Sequence, residues 1–305
     1  MTEQWDCVVI GGGAAGLSAA LMLGRARRRT LVVDAGAQSN RAAHGIGGLL
    51  GFDGVPPAQV YAHGRDELTR YPSVQVRDDE VTVVTPHEGG FTVALAGGGT
   101  AEVRRVLLAM GMHYEIPGIE GLEAYWGAAV FHCPFCHGWE MRDQPLGVVA
   151  QGERAVHLAS LLRSWTDDIV VMSHGPAELA DAQRALLAGY GIAVDERTIA
   201  SVEGADGQLD AVVFDDGSLV HRRGLLVATT LRQRSGLAQA LGVAFASPGP
   251  VAAETIAVDA LSQTSVPGVF AAGDVSAQMY QVAAAVASGS AAAASIVRSL
   301  MEELL

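Results

Sequence analysis

The sequence predicts an α/β chain assembled from two copies of one strand, turn and helix unit. Three observations carry this. A glycine-rich turn, Gly11-Gly12-Gly13-Ala14-Ala15-Gly16, lies between the apolar strand Cys7-Val8-Val9-Ile10 and an Ala/Leu-rich helix from Leu17 to about Arg25. A second strand, Thr30 to Val33, ends in Asp34. The same order of elements starts again at Leu146. At 305 residues, 50% of them hydrophobic, the chain can fill two cores of ordinary size.

The first turn reads Gly-x-Gly-x-x-Gly between a strand and a helix, the context in which that spacing signifies a dinucleotide site. Glycines allow the tight turn and let a pyrophosphate approach the helix N-terminus. Asp34 stands at about the 20-residue separation expected of a carboxylate that holds a ribose hydroxyl. The segment Ala35 to Pro57 is rich in glycine and small polar residues, and offers Gln38, Ser39, Asn40, Arg41 and His44 as cofactor contacts. A helix from Pro57 to Tyr71 and a strand at Val74 to Val76 follow. Val81 to Thr85, Phe91 to Leu95 and Ala101 to Leu108 read as a small antiparallel set with a turn at Gly97-Gly98-Gly99. The last of these strands runs into Ala109-Met110-Gly111.

In the second copy, strand Leu146 to Val149 leads through Ala150-Gln151-Gly152-Glu153-Arg154-Ala155 into a helix ending near Trp165. Strand Ile169 to Met172, a helix near Ala177 to Gly189, a hairpin of Ala211 to Phe214 with Ser218 to His221, and strand Leu225 to Ala228 complete it. The repeat predicts two Rossmann-like, three-layer ββα domains related by duplication. The second turn is altered where a nucleotide would bind. Ala150 replaces the first glycine, Gln151 and Glu153 add bulk and negative charge, and Met172-Ser173-His174-Gly175-Pro176 supplies neither a ribose carboxylate nor arginines for a 2′-phosphate. NADPH is therefore not expected to bind there.

Between the copies lies His132-Cys133-Pro134-Phe135-Cys136-His137-Gly138. Cysteines this close can alternate between dithiol and disulfide, and a neighbouring histidine can take the proton. Zinc would need two further ligands at matching spacing, and the one other cysteine, Cys7, stands far upstream in an apolar run. A two-residue loop gives a purely structural disulfide little to stabilise. A redox pair of Cys133 and Cys136 is expected, with no metal. Near the C-terminus a strand enters Gly273-Asp274 and then Tyr280-Gln281-Val282-Ala283, which opens an Ala-rich helix. That arrangement sets a carboxylate and free N–H groups against a polar ligand.

The formal charge of −13 excludes nucleic acid and anionic membrane as expected partners. No apolar run reaches about 18 residues without a polar interruption, and the start shows no leader pattern. A cytoplasmic protein is expected.

Together, the glycine turn, Asp34, the Cys-x-x-Cys and Gly273-Asp274 resemble the low-molecular-weight thioredoxin reductases over essentially the whole chain. The resemblance implies FAD bound through Gly11, Gly13, Ala14, Ala15, Gly16, Asp34, Gln38, Asn40, Arg41, His44, Val81, Ala109, Gly111, Gly273, Asp274, Gln281 and Val282. It implies a homodimer, and a second domain (residues 115–236) inserted into the first (residues 1–114 and 237–305). His137 stands where those reductases carry aspartate, and Cys-Pro-Phe-Cys-His-Gly resembles the gliotoxin- and holomycin-type dithiol oxidases. That branch implies oxidation of a small-molecule dithiol, with FAD passing electrons to oxygen; Cys133 and Cys136 are expected to carry the exchange, with His137 as base ahead of His132. Two alternatives stay open: a reductase drawing electrons from NADPH, ferredoxin or reduced flavin and delivering them to a disulfide or to thioredoxin, and a non-catalytic redox-sensing flavoprotein.

Overall fold

A computed structural model of the chain describes residues 4–277 and 279–302. It divides into two compact units: Met1–Arg41, Leu49–His113 and Leu231–Leu305 form the first, Ala42–Gly48 and Tyr114–Thr230 the second. The crossings differ from the sequence division in three places: residues 231–236 lie in the first unit, and residues 42–48 and Tyr114 lie in the second.

The first unit opens with β1 (Gln4–Ile10), α1 (Ala14–Arg25), β2 (Thr30–Asp34), α2 (Pro57–Leu68), β3 (Val74–Asp78), β4 (Val81–His87), β5 (Gly90–Leu95) and β6 (Thr100–Leu108). Their sheet runs β3-β2-β1-β6-β5-β4. β1 pairs in parallel with β2 and β6, whereas β5 pairs antiparallel with β4 and β6. β6 thus serves both the antiparallel set expected from sequence and the parallel layer. β1 and β2 are nearly continuous apolar runs, as strands covered on both faces must be. α1 begins at Ala14, three residues before the helix expected from Leu17, because the glycine turn already carries the bend. Buried Cys7 sits in β1 within the core that α1 and the sheet share.

Two short strands, β7 (Met112–Glu115) and, later, β16 (Thr230–Gln233), lie at the crossings between units. The second unit contains β8 (Val130–Phe131), α3 (Pro134–His137), β9 (Leu146–Val149), α4 (Gly152–Leu162), β10 (Ile169–Met172), α5 (Asp181–Gly189), β11 (Ala193–Asp195), β12 (Ile199–Ala205), β13 (Gln208–Phe214), β14 (Leu219–His221) and β15 (Gly224–Val227). The five-stranded sheet, ordered β11-β10-β9-β15-β8, is parallel throughout. β12-β13-β14 make a separate antiparallel layer. The expected hairpin therefore gains a third strand. α5 begins at Asp181 instead of Ala177, because Ala177 is committed elsewhere: its N–H donates to Glu196 (2.8 Å) and its carbonyl accepts from Gly152 (2.8 Å).

The chain returns through β16 (Thr230–Gln233), α6 (Leu237–Ala240), β17 (Val269–Ala271), a one-turn 3-10 helix at Gly273–Val275 and α7 (Val282–Glu302). β17 extends the first sheet in parallel beside β6. α7 is long and apolar enough to cross a membrane by length and composition. Its contacts are those of a packing helix. A Cβ on Gly289 would lie 2.0 Å from the Ala15 carbonyl oxygen, so α7 and α1 touch backbone to backbone. Ser18 Oγ donates to the Val286 carbonyl (2.7 Å), and Arg105 donates to Ser299 (2.9 Å). The sequence predicts this helix from Tyr280 to the C-terminus; its last three positions, 303–305, lie outside the described residues.

Candidate active site

Each glycine of the first turn has its own physical reason. Gly11 has φ +107° and faces the Ala109 carbonyl oxygen, which a Cβ would approach to 2.4 Å. A Cβ on Gly16 would sit 1.8 Å from the Gly11 carbonyl oxygen. Gly12, a position the pattern leaves open, is equally constrained: its Cβ would strike the Asp34 carboxyl carbon at 2.5 Å. At Gly13 a Cβ would meet only the Gln38 side chain, at 3.7 Å. Nothing in the protein requires glycine there, and the room above it is the kind a pyrophosphate needs. Gly13 caps α1 without a side-chain hydrogen bond, and the first turn holds no acidic residue, so its N–H groups suit an anion. These features fit FAD.

Asp34, 5% exposed at the end of β2, accepts hydrogen bonds from Gly36 N–H (3.1 Å), Gln38 Nε2 (3.1 Å to each oxygen) and Arg65 Nη2 (2.5 Å). Arg41 ties the following loop together through the Gly36 carbonyl (2.7 Å) and Gln38 Oε1 (3.3 Å). Asn40 Oδ1 accepts from the hydroxyl of Tyr61 (2.9 Å). Gly111, with φ +67°, lies near Ser39, and a Cβ on it would be 3.9 Å from Ser39 Oγ. Gly273 has φ +76°, packs against Ala15, and its N–H donates to the Ser288 hydroxyl oxygen (3.0 Å). Asp274 follows in the same turn, with Gln281 and Val282 at the entrance to α7. Val81 is buried at the start of β4. The first unit thus holds every residue expected to contact FAD except His44, which falls in the second unit. Arg65 and Tyr61, which no motif flagged, are identified only by their partners.

In the second unit Cys133 and Cys136 form a disulfide, with Cα atoms 5.3 Å apart. They follow β8, at the carboxyl edge of the parallel sheet where α/β folds place ligands. Pro134 starts α3 at the position where its missing N–H costs nothing, and Cys136 N–H returns to the Cys133 carbonyl (3.1 Å). Gly47 packs on the Cys136 backbone, since a Cβ there would lie 2.7 Å from its carbonyl oxygen. Phe135 stands 61% exposed between the cysteines, edge-on to Trp165 at 5.5 Å.

His137 stacks on Phe131 at 5.6 Å. Its Nε2 lies 3.2 Å from the Gly127 carbonyl, which can only accept, so the proton belongs on Nε2. Nδ1 is then a buried lone pair that no hydrogen bond occupies. Burial lowers the pKa of His137, outweighing the opposing pulls of the Gly127 carbonyl, Glu140 and the Cys133 backbone; the charge of His44 lowers it further. His132 lies against Tyr114 (4.5 Å) and Trp126 (5.6 Å), and burial followed by the charge of His137 pushes its pKa down to about 4. No group of three or more metal-ligating side chains occurs among the described residues.

The two sheets can be compared position by position. Ile10 is opposite Val33, and Val149 is opposite Met172, so Ser173 is the counterpart of Asp34 and Gln151 of Gly12. Where the first unit leaves a glycine beside a carboxylate, the second sends the Gln151 amide across the strand ends to the Ser173 carbonyl (3.0 Å). The Ser173 hydroxyl is turned away to the Gly175 carbonyl (2.6 Å). Arg154, the one cation of the turn, donates to the Thr229 carbonyl (2.8 Å).

A sequence profile described as pyridine nucleotide-disulphide oxidoreductase matches residues 5–289. Thioredoxin reductase tcpT of Claviceps purpurea (strain 20.1) is 33% identical, over 98% of this chain and 95% of its own. The crystal structure of HlmI superposes with a TM-score of 0.91 at 39% identity, covering 98% of this chain and 93% of that one. An oxidoreductase from Agrobacterium tumefaciens gives 0.92 at 39% identity, with 98% and 99% covered. With a fingerprint turn that fits FAD, a Cys-x-x-Cys disulfide and these relatives, the chain belongs to the pyridine nucleotide-disulphide oxidoreductase family, among its FAD-binding, thioredoxin reductase-like members.

Proposed function

We propose that this enzyme oxidises a small-molecule dithiol to a disulfide, with oxygen as the final acceptor. The observation that carries the direction of electron flow is the Gln151 to Ser173 bridge. A nicotinamide dinucleotide needs an open turn at the end of β9 and, after β10, a carboxylate for a free ribose or an arginine for a 2′-phosphate; it finds a spanning amide and a serine there. An enzyme whose electrons come from a dithiol has no use for that site.

The substrate thiolate attacks Cys133 Sγ; the Cys133–Cys136 bond breaks and Cys136 leaves as thiolate. The second substrate thiol then attacks the mixed disulfide, releasing the substrate as its disulfide and leaving both cysteines reduced. Neutral His137 accepts the substrate's thiol proton at Nδ1, because its Nε2 proton is held toward Gly127. FAD, held by the fingerprint turn and Asp34 of the first unit, would supply the two-electron acceptor for the cysteine pair and the route from it to oxygen. Exposed Phe135 offers the substrate an apolar surface beside the pair. A cytoplasmic homodimer is part of the same reading, and light scattering on the purified protein tests the oligomeric state.

The experiment is anaerobic flavin absorbance during parallel titration with NADPH, NADH and dithiothreitol. Bleaching by the dithiol alone, with recovery on admitting air, is the expected result. Prompt bleaching by NADPH would overturn the assignment and return the enzyme to the NADPH-driven reductases.

A further inference from the structure

We infer that helix α2 is a positioning element for the FAD site, with Arg65 and Tyr61 fixing the two side chains, Asp34 and Asn40, that face the cofactor from β2 and its following loop. This rests on the FAD site itself and is independent of which donor reduces the flavin.

Three observations converge on α2. First, Tyr61 and Arg65 are four residues apart and so share one face of the helix. From that face the Tyr61 hydroxyl donates to Asn40 Oδ1 (2.9 Å), and Arg65 Nη2 donates to Asp34 Oδ2 (2.5 Å). Second, Arg65 is anchored on its other side, since Nη1 donates to Asp78 Oδ1 (2.6 Å) at the end of β3. Register places Asp78 opposite Asp34, so one guanidinium spans the ends of neighbouring strands. Third, α2 is seated close to α1. Gly64, between the two side chains in sequence, lies where a Cβ would be 3.2 Å from Leu17 Cδ1. The helix that carries the fingerprint turn and the helix that orients the carboxylate are therefore one packed pair.

The chemistry follows from counting lone pairs. A carboxylate offers about four acceptor positions. Arg65 and Gly36 hold one oxygen each, and Gln38 bridges both. The charge-assisted contact from Arg65 sets the plane of the carboxylate, while the neutral Gln38 amide is the partner a ribose diol can exchange with. Tyr61, 8% exposed, gives Asn40 the same treatment. With its oxygen accepting from Tyr61, the Asn40 amide NH2 is left to donate toward a ligand.

Equilibrium binding to the flavin-stripped full chain tests this without turnover. FAD is read by flavin fluorescence, ADP by displacement of FAD, and riboflavin serves as the ligand lacking adenosine ribose. Arg65→Gln is expected to weaken FAD and ADP at least about tenfold, one charge-assisted hydrogen bond, and to leave riboflavin within about twofold. Arg65→Lys keeps the charge without the bridging fork and should recover part of the loss. Tyr61→Phe should weaken FAD by about threefold to tenfold. Unchanged ADP affinity in Arg65→Gln, or an equal loss for riboflavin, would overturn the assignment and leave α2 as packing alone. If Arg65→Gln yields no soluble chain, Arg65→Lys decides: unchanged ADP affinity refutes the proposal, and a several-fold loss with riboflavin unaffected supports it. A wild-type chain that binds none of the three would refute the FAD site instead.

Discussion

His132 and His137 are adjacent to the same cysteine pair yet are suited to different work. His132, buried against Tyr114 and Trp126, stays neutral until about pH 4. An unfolded chain protonates it near 6.5, so the folded state binds fewer protons between these values. Stability contributed by the neutral ring is complete above pH 6.5 and is lost as pH falls toward 4. The loss amounts to about 3 kcal/mol. Thermal melts at pH 7 and pH 4.5 check this: His132→Phe should lose less stability on acidification than the parent. His137 is also depressed below 6.5, so the proton-accepting form prevails at neutral pH. The acid limb of kcat/KM should fall below pH 6.5 and disappear in His137→Asn, along with most of the rate. Cys136→Ser should keep FAD while turnover ends, read as a flavin spectrum that dithiol no longer bleaches. The cysteine pair and His137 were legible in sequence because their chemistry is local. The tautomer was not, since it depends on the Gly127 carbonyl ten residues upstream.

Among the elements, the glycine turn separates folding from binding within six residues. Gly13→Ala adds a methyl that meets nothing closer than 3.7 Å, so its apoprotein should melt within about 2 °C of the parent while FAD affinity falls. Gly12→Ala drives the same methyl into Asp34 at 2.5 Å and should weaken both folding and FAD binding. Apoprotein melting and flavin bound per chain distinguish the two. Gly289→Ala would press α7 off α1, at a cost of about 1–3 kcal/mol in a chemical denaturation series. Sequence spacing located this turn and its strands because glycine and apolar runs are local signals. It located α2 but left its role, like those of Gly12 and Gly289, unassigned, since each acts through a partner distant in sequence. β12 escaped for a related reason: Ile199–Ala205 lacks a strong alternation and is held as a strand by pairing with β13.

Over the whole molecule, duplication followed by divergence explains the pattern of what the sequence revealed. Both copies keep the strand order of a nucleotide-binding unit, so the fold was readable twice. The copies differ where side chains meet ligand, and there register supplied what composition could not: the equivalence of Asp34 with Ser173. Residues 42–48, assigned by sequence to the first domain, fall in the second unit because their packing, with Gly47 against Cys136, involves a segment far along the chain. Cys7, buried in β1 with burial holding its thiol protonated, lends the molecule a built-in gauge. A thiol-reactive dye added to the native enzyme should count none in the oxidised state and two after reduction of the pair. A third should appear only when the first unit's sheet opens, so one stoichiometry reports oxidation state and structural integrity on separate steps of the same scale.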